Sequence, residues 1–279
     1  MKSAALRRGW ALLRVDGPTG AARAVSRRLM RLSRRSHVVS ETAIVASVLS
    51  LDGLSNGVMM DIGAHHGAVF AEFAKRGWQV YAFEPDRRNL KRISTAFGDL
   101  TNVHVDHRAV SDVSGVEVPF FSSSQSSGIS SLSAFDESHT QAGMVTTVSL
   151  DDFAEDQDVS RVDYLKIDTE GYDLMVLKGF PWERMRPKVI VCEFEDKKTV
   201  PLGYNLDDIA GFISAKGYKV IVSEWFPIAS YGSAHRWRRH AMYPCELADE
   251  CGWGNLIASN DDRLLERIMR RLDEEAARA

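Results

Sequence analysis

Residues 61–67 read Asp-Ile-Gly-Ala-His-His-Gly, and Glu84 stands 23 positions beyond Asp61. An apolar run at 58–62 leads into the first feature, and a second at 78–83 leads into Glu84. A strand that turns sharply into a helix needs glycines, because they let the backbone bend and let a ligand approach without a β-carbon in the way. A carboxylate about 20 residues further on, at the end of the neighbouring strand, is placed to accept hydrogen bonds from both hydroxyls of a ribose. The pair predicts a nucleoside site at the carboxyl edge of an α/β sheet.

The glycine spacing narrows the choice of nucleoside. A dinucleotide fingerprint reads G-x-G-x-x-G. This chain reads D-x-G-x-x-x-G, with Gly63 and Gly67 as its only glycines and Asp61 at the strand end. A carboxylate there repels a pyrophosphate but suits an ammonium. S-adenosylmethionine carries an ammonium, a ribose and an adenine together. The plain alternative is a turn between two core strands with no ligand.

The chain of 279 residues is 44% hydrophobic and 26% charged, an ordinary globular composition. No apolar run approaches the length of a bilayer span; the stretch 42–51 is far too short. Cys192, Cys245 and Cys251 form no C-x-x-C pair, and Cys192 lies within an apolar strand pattern. An odd, low cysteine count fits a reducing, cytoplasmic setting. The net charge of −3 hides an asymmetry, since residues 1–36 hold ten Lys and Arg against the single Asp16. Val25, Leu29 and Leu32 fall on one helical face there and Arg27, Arg28, Arg31 and Arg35 mainly on the other. A basic amphipathic helix of this kind suits peripheral contact with the inner face of an anionic membrane or with an acidic partner. A solvated extension or a targeting leader is the bland reading. Nucleic acid is not an expected partner, because the basic charge is not interleaved with aromatics and the remainder is acidic.

From residue 40 onward, short apolar runs alternate with amphipathic segments. Strands are expected at 58–62, 78–83, 103–105, 145–150, 162–167, 188–194, 218–225 and 254–258, and helices at 40–51, 68–76, 87–97, 172–178 and 206–216. Strands alternating with helices imply a Rossmann-like, doubly wound and mostly parallel sheet. The expected organisation is a basic leader at 1–39, one α/β domain at 40–260 and a C-terminal helix at 261–279. Within the domain, 225–253 holds Trp225, Phe226, Tyr231, His235, Trp237, Tyr243 and Trp253 beside Arg236, Arg238 and Arg239. Such a segment suits a substrate cap that stacks on sugar faces or grips an acidic group, or ordinary packing. The serine-rich stretch 122–132 reads by composition as a flexible linker.

Four carboxylates, Asp61, Glu84, Asp168 and Glu193, fall where predicted strands end, the edge at which open parallel sheets bind ligands. Asp168 or Glu170 has a plainer use as a cap for the helix that follows.

With these motifs in place the chain resembles the FkbM family of S-adenosylmethionine-dependent methyltransferases. The stretches that carry the resemblance are MMDIGAHHGAVFAEF, VYAFEPDRRNLKRI, SSGISSL, VSLDDF, VDYLKIDTEGYDLMVLKGF and PKVIVCEFED, covering roughly residues 58–196. LKIDTEG with its downstream LKG is the most specific, since the glycine turn is shared widely among methyltransferases. The resemblance implies a class I methyltransferase sheet, S-adenosylmethionine as methyl donor and a hydroxyl of a sugar, glycan, glycolipid or related natural product as acceptor. It implies that Asp61, Gly63, His65 and Gly67 form the cofactor loop, that Glu84 binds ribose and that Ser111 and Asp112 lie near adenine. Lys166, Asp168, Glu170 and Gly171 match the signature facing the reaction centre, and SSGISSL reads as an ordered active-site loop.

One departure is that the family usually has Asn where this chain has His65, followed by His66. Neutral imidazole both donates and accepts, as Asn does, whereas imidazolium would compete with the sulfonium and depress activity at low pH. Moving a methyl group to a hydroxyl asks for alignment and a base. Asp168 is the first candidate, with Glu170 and Glu193 behind it. A divalent cation held by Asp168, Glu193 and a histidine is the alternative use of these groups, though no local ligand spacing announces one. A nicotinamide-dependent oxidoreductase and a catalytically silent binding partner remain as competing readings, the former disfavoured by Asp61 and the missing central glycine.

Overall fold

The computed structural model describes residues 39–51, 53, 56–231 and 233–278. The basic leader lies outside them. Eight strands form one sheet in the order β3-β2-β1-β7-β8-β11-β9-β10. In chain order these are β1 (Val58–Ile62), β2 (Gln79–Phe83), β3 (Val103–Asp106), β7 (Tyr164–Ile167), β8 (Val189–Glu195), β9 (Lys219–Trp225), β10 (Trp237–Met242) and β11 (Trp253–Ser259). Neighbours from β3 to β8 run parallel; β11 is antiparallel to both β8 and β9, and β10 is antiparallel to β9. The strand order reverses between β1 and β7, which opens a crevice beyond their carboxyl ends. This is the Rossmann-like, mostly parallel α/β architecture that the alternation predicts.

The central strands read as continuous apolar runs because both faces are covered. Successive residues therefore serve opposite cores. Met59, Tyr164 and Val191 belong to one apolar cluster; Met60, Leu165 and Cys192 belong to the other. The first cluster includes residues of α1 (Glu41–Leu51), α2 (Phe70–Lys75) and α8 (Asp262–Ala276), and α1 packs against α8. The second includes α4 (Leu150–Asp156), α5 (Asp173–Lys178) and α7 (Leu206–Ala215). Between these come α3 (Arg87–Phe97) and the single turn α6 (Asp196–Thr199). Glu41 ties α1 to the sheet, its buried Oε1 accepting from Ser223 Oγ at 2.8 Å and Trp225 Nε1 at 2.6 Å.

Two segments depart from the sequence reading. Residues 109–148 form a second sheet, β4-β6-β5, from β4 (Ala109–Val110), β5 (Glu117–Ser123) and β6 (His139–Val148). The polar start of β6 conceals it, since its first residues are largely exposed and follow no apolar alternation. The segment 225–253 is also more than a cap, because β10 lies within it as the edge strand of the main sheet. Its Trp-Arg-Arg-His-Ala-Met sequence gives no strand period, being half-buried from Trp237 to Ala241 and exposed at Met242.

Candidate active site

A cavity of about 430 Å³ opens beyond the carboxyl ends of β1, β2, β7 and β8, within the usual range for small-molecule sites. Gly63 opens its first wall. Its φ is +76°, and a β-carbon there would fall 1.8 Å from the Asp168 carbonyl oxygen, so the two strand ends meet only through glycine. The next residues return to the neighbouring strand: the N–H groups of Gly63 and Ala64 both donate to Phe83 O at 3.0 Å. His65 follows with φ +51°, and its N–H donates to Glu84 Oε2 at 2.8 Å. The other oxygen, Oε1, accepts from Asp86 N at 2.7 Å. Burial pushes the Glu84 carboxyl up to about 7.

Gly63, His65 and Glu84 line the cavity; Asp61, Gly67, Ser111 and Asp112 do not. Asp61 is fully buried one residue short of the end of β1, with Oδ1 3.6 Å from Lys166 Nζ. Asp61 is thus part of a buried ion pair behind the cavity lining. Gly67, at φ +80°, packs between the rings of Phe70 and Phe97 and shapes the turn from beneath. Ser111 donates to its neighbour Asp112, and the preceding Ala109 and Val110 take the lining positions instead.

His65 does not behave as a low-pH cation. Burial, then the adjacent His66 ring stacked at 3.5 Å, hold its imidazole down to about 4. Its Nε2 lies 3.0 Å from Ser127 Oγ, joining the cofactor-side turn to the serine-rich loop. Asn89 Nδ2 donates to Ser127 O at 3.2 Å, and Arg88 donates to Ser123 O and Ser130 Oγ. These bonds order the loop, and Ser126 to Leu132 line the cavity.

Carboxylates form the second wall. Lys166, Asp168, Glu170 and Glu193 all line the cavity. Lys166 Nζ donates to Gly63 O at 3.2 Å and lies 3.2 Å from Asp168 Oδ2. Against burial, which opposes the charge, Lys166 and then Lys198 hold Asp168 below the usual carboxylate range. Its side chain is the open one, 37% exposed. Burial pushes Glu170 up to about 7 despite Lys198, and raises Glu193 well above its ordinary value too. Neither Asp168 nor Glu170 caps α5. Tyr172 at its N-cap makes no side-chain cap either; Asp173, the first residue of the helix, instead ties down the preceding loop by accepting from the N–H groups of Thr169 and Gly171.

Sequence reasoning missed Lys198. It lies on α6, directly after β8, and its ammonium contacts Glu170, Glu193 at 3.1 Å and Glu195 at 2.7 Å. The signal was faint: Glu195 and Lys198 share the spacing of one helical turn. In the aromatic segment, Tyr231, His235 and Trp253 line the cavity, while Trp225, Phe226, Trp237 and Tyr243 do not. Arg236, Arg238 and Arg239 do not line the cavity either. Arg236 and Arg238 cover the Phe226 ring, and Arg239 Nε pairs with Glu224 at 2.6 Å.

The family profile described as the methyltransferase FkbM domain matches residues 61–220. The chain belongs to the FkbM methyltransferase family. It is thereby an S-adenosylmethionine-dependent methyltransferase. No curated protein matches the chain. Among solved structures, it is similar to precorrin-6y C5,15-methyltransferase from Geobacter metallireducens GS-15, at 16% identity over 81% of this chain and 92% of that one, with a TM-score of 0.40. Magnesium protoporphyrin IX methyltransferase from Synechocystis PCC 6803, solved with S-adenosylmethionine bound, is 10% identical over 79% and 78%, with a TM-score of 0.42. An rRNA methylase from Streptococcus thermophilus is 9% identical over 78% and 92%, with a TM-score of 0.38. Likenesses this distant decide neither acceptor nor chemistry.

The FkbM site fits its cofactor on its own chemistry. Glu84 is a carboxylate pinned by two backbone N–H groups, with lone pairs left for a diol. Gly63 supplies a cradle that a β-carbon would close, and Phe83, Val110 and Ile129 supply apolar lining.

Proposed function

We propose that this FkbM enzyme methylates a hydroxyl oxygen of a sugar, glycan or glycolipid, or of a related natural product. The observation that carries the reading is one cavity with two unlike walls: carboxylates from Asp168, Glu170 and Glu193, and rings from Tyr231, His235 and Trp253. Aromatic faces suit the apolar face of a sugar ring, and carboxylates suit its hydroxyls. Three clustered carboxylates also repel phosphates, which argues against nucleic acid as the acceptor.

Bound S-adenosylmethionine supplies an electrophilic methyl group on a sulfonium. The chain's own residues do the rest. Glu84 accepts from the ribose hydroxyls, while His65, kept neutral, adds no repelling charge. Asp168 is held ionised by Lys166 and presents a negative charge to a cationic ligand. A base works best when its pKa lies near the working pH. Glu170, at about 7, meets that condition better than Asp168, so we assign proton removal to the Glu170–Glu193 pair. The acceptor O–H proton would pass to that carboxylate pair, freeing the oxygen lone pair for the methyl group that the bound sulfonium would supply.

Among the described residues, no helix is long and apolar enough to cross a membrane. Peripheral contact through residues 1–36, at the cytoplasmic face, is part of the proposal, carried by the charge of that segment alone. The central test is transfer of labelled methyl from S-adenosylmethionine to a panel of free sugars, glycolipids and RNA. Labelling of RNA alone overturns the acceptor class, and a deletion of 1–36 with unchanged binding to anionic liposomes sinks the membrane contact.

A further inference from the structure

The acidic wall has the shape of a metal site. Asp168, Glu170 and Glu193 each offer an oxygen, and these atoms lie within 4.8 Å of one another. Hard divalent cations choose oxygen ligands of this kind. Yet an ammonium already stands among them. Lys198 is delivered by the single turn that follows β8, and its side chain is 2% exposed. An ammonium has three N–H donors, and three carboxylates, Glu170, Glu193 and Glu195, surround it. Glu195 is fixed from its other side, where Oε1 accepts from Tyr231 OH at 2.9 Å. The rings of Phe135 and Tyr231 lie 5.4 and 5.8 Å from Lys198 Nζ. Its β-carbon is backed by Gly171, where an added methyl would sit 3.4 Å away.

We propose that Lys198 is the resident cation of this site, filling the place that a divalent metal ion would take among Glu170, Glu193 and its neighbours. Admitting a metal means withdrawing a buried ammonium from three carboxylates and two rings. A single positive charge also leaves the carboxylates in excess, so that one of them stays basic enough to accept a proton, where a divalent ion would neutralise them further. Lys198 is thus a positioning residue: it sets the spacing and the charge of the groups that meet the acceptor. The assignment rests on the cleft being the methyl-transfer site, and it is independent of which hydroxyl is methylated.

The full chain, titrated with Mn²⁺ and followed by electron paramagnetic resonance, tests this without any acceptor. The wild-type protein is expected to leave the Mn²⁺ free. Lys198→Ala, which vacates the position, is expected to bind one Mn²⁺ per chain, displaceable by Mg²⁺. A merely structural lysine would give no such gain. If circular dichroism shows Lys198→Ala unfolded, Lys198→Ala/Glu195→Gln keeps the Asp168, Glu170 and Glu193 oxygens with one charge fewer and serves in its place. Stoichiometric Mn²⁺ binding by the wild type overturns the proposal, as does a folded, vacated variant that binds none. Calorimetry with S-adenosylmethionine on the same samples reads the cofactor site separately. A wild type that ignores S-adenosylmethionine defeats the functional reading and leaves the Mn²⁺ result to be judged alone.

Discussion

The backbone N–H of His65 donates to Glu84 Oε2 at 2.8 Å, so the glycine turn after β1 and the acid after β2 form one hydrogen-bonded unit before any ligand arrives. Asp86 N occupies the other oxygen at 2.7 Å. A carboxylate held in this way loses little freedom on meeting a ribose, and preorganisation of this kind favours tight binding. Glu84→Ala is expected to weaken S-adenosylmethionine binding at least tenfold by calorimetry, with circular dichroism unchanged. An affinity within twofold of wild type would remove Glu84 from the site.

The same carboxylate sets a pH dependence. Burial raises Glu84 from 4.5 to about 7, so the folded protein retains a proton between those values that the unfolded chain has released. Ionising Glu84 therefore costs stability as pH rises through that window. Ligand binding to the ionised form has the opposite sense: affinity rises from pH 5.5 to about 7.5, by at most about tenfold per unit, and then levels. Glu84→Gln should abolish the slope. His65→Asn should keep it, because His65 stays neutral down to about 4. A flat wild-type profile would defeat this account.

Gly63→Ala asks the backbone to keep φ +76° with a methyl group 1.8 Å from the Asp168 carbonyl oxygen. The strand ends of β1 and β7 have to part to accommodate it. A loss of more than about 2 kcal/mol is expected in urea unfolding, with loss of S-adenosylmethionine binding. Near-native stability with intact binding would show that the two strand ends separate freely.

Base assignment separates the carboxylates. With an acceptor in hand, Glu170→Gln is expected to lower kcat by about 10²-fold or more and to erase the acid limb of the rate profile near pH 7. Asp168→Asn leaves Lys166 without its cavity-side partner, so its main expected effect is weaker cofactor binding. If Asp168→Asn erases the acid limb and Glu170→Gln does not, the base is Asp168.

The aromatic wall should act on the acceptor alone. Trp253→Leu is expected to raise the acceptor KM about fivefold, in line with roughly 1 kcal/mol for an aromatic contact, with S-adenosylmethionine affinity unchanged. An unchanged KM would place the acceptor elsewhere.

Much of the parallel half was legible because buried strands and glycine turns leave short-range marks. Val58–Ile62 is apolar throughout apart from Asp61, and Gly63 and Glu84 stand at its edge and at its neighbour's. The direction in which a side chain points was not legible. Asp61 lies one residue before the strand end, and in a strand one residue decides between core and cavity. Lys198 was hidden for another reason, because its partners Glu170 and Glu193 come from the loop after β7 and from β8, which only the fold brings together. The strand at Trp237–Met242 was hidden by its Arg-Arg-His centre, whose burial depends on Glu224 and on the Phe226 ring.

The small sheet carries a consequence for how this protein changes over time. β6 pairs with β5 on one side and with β4 on the other, and none of the three pairs with a described strand of the main sheet. The Ser126–Leu132 rim hangs from that hairpin. Insertions or exchanges between β5 and β6 therefore remodel one lip of the cavity while leaving the ladder beneath Gly63 and Glu84 intact. The Gly63 and Glu84 side rests on the main sheet, whereas that rim is carried by a separate hairpin.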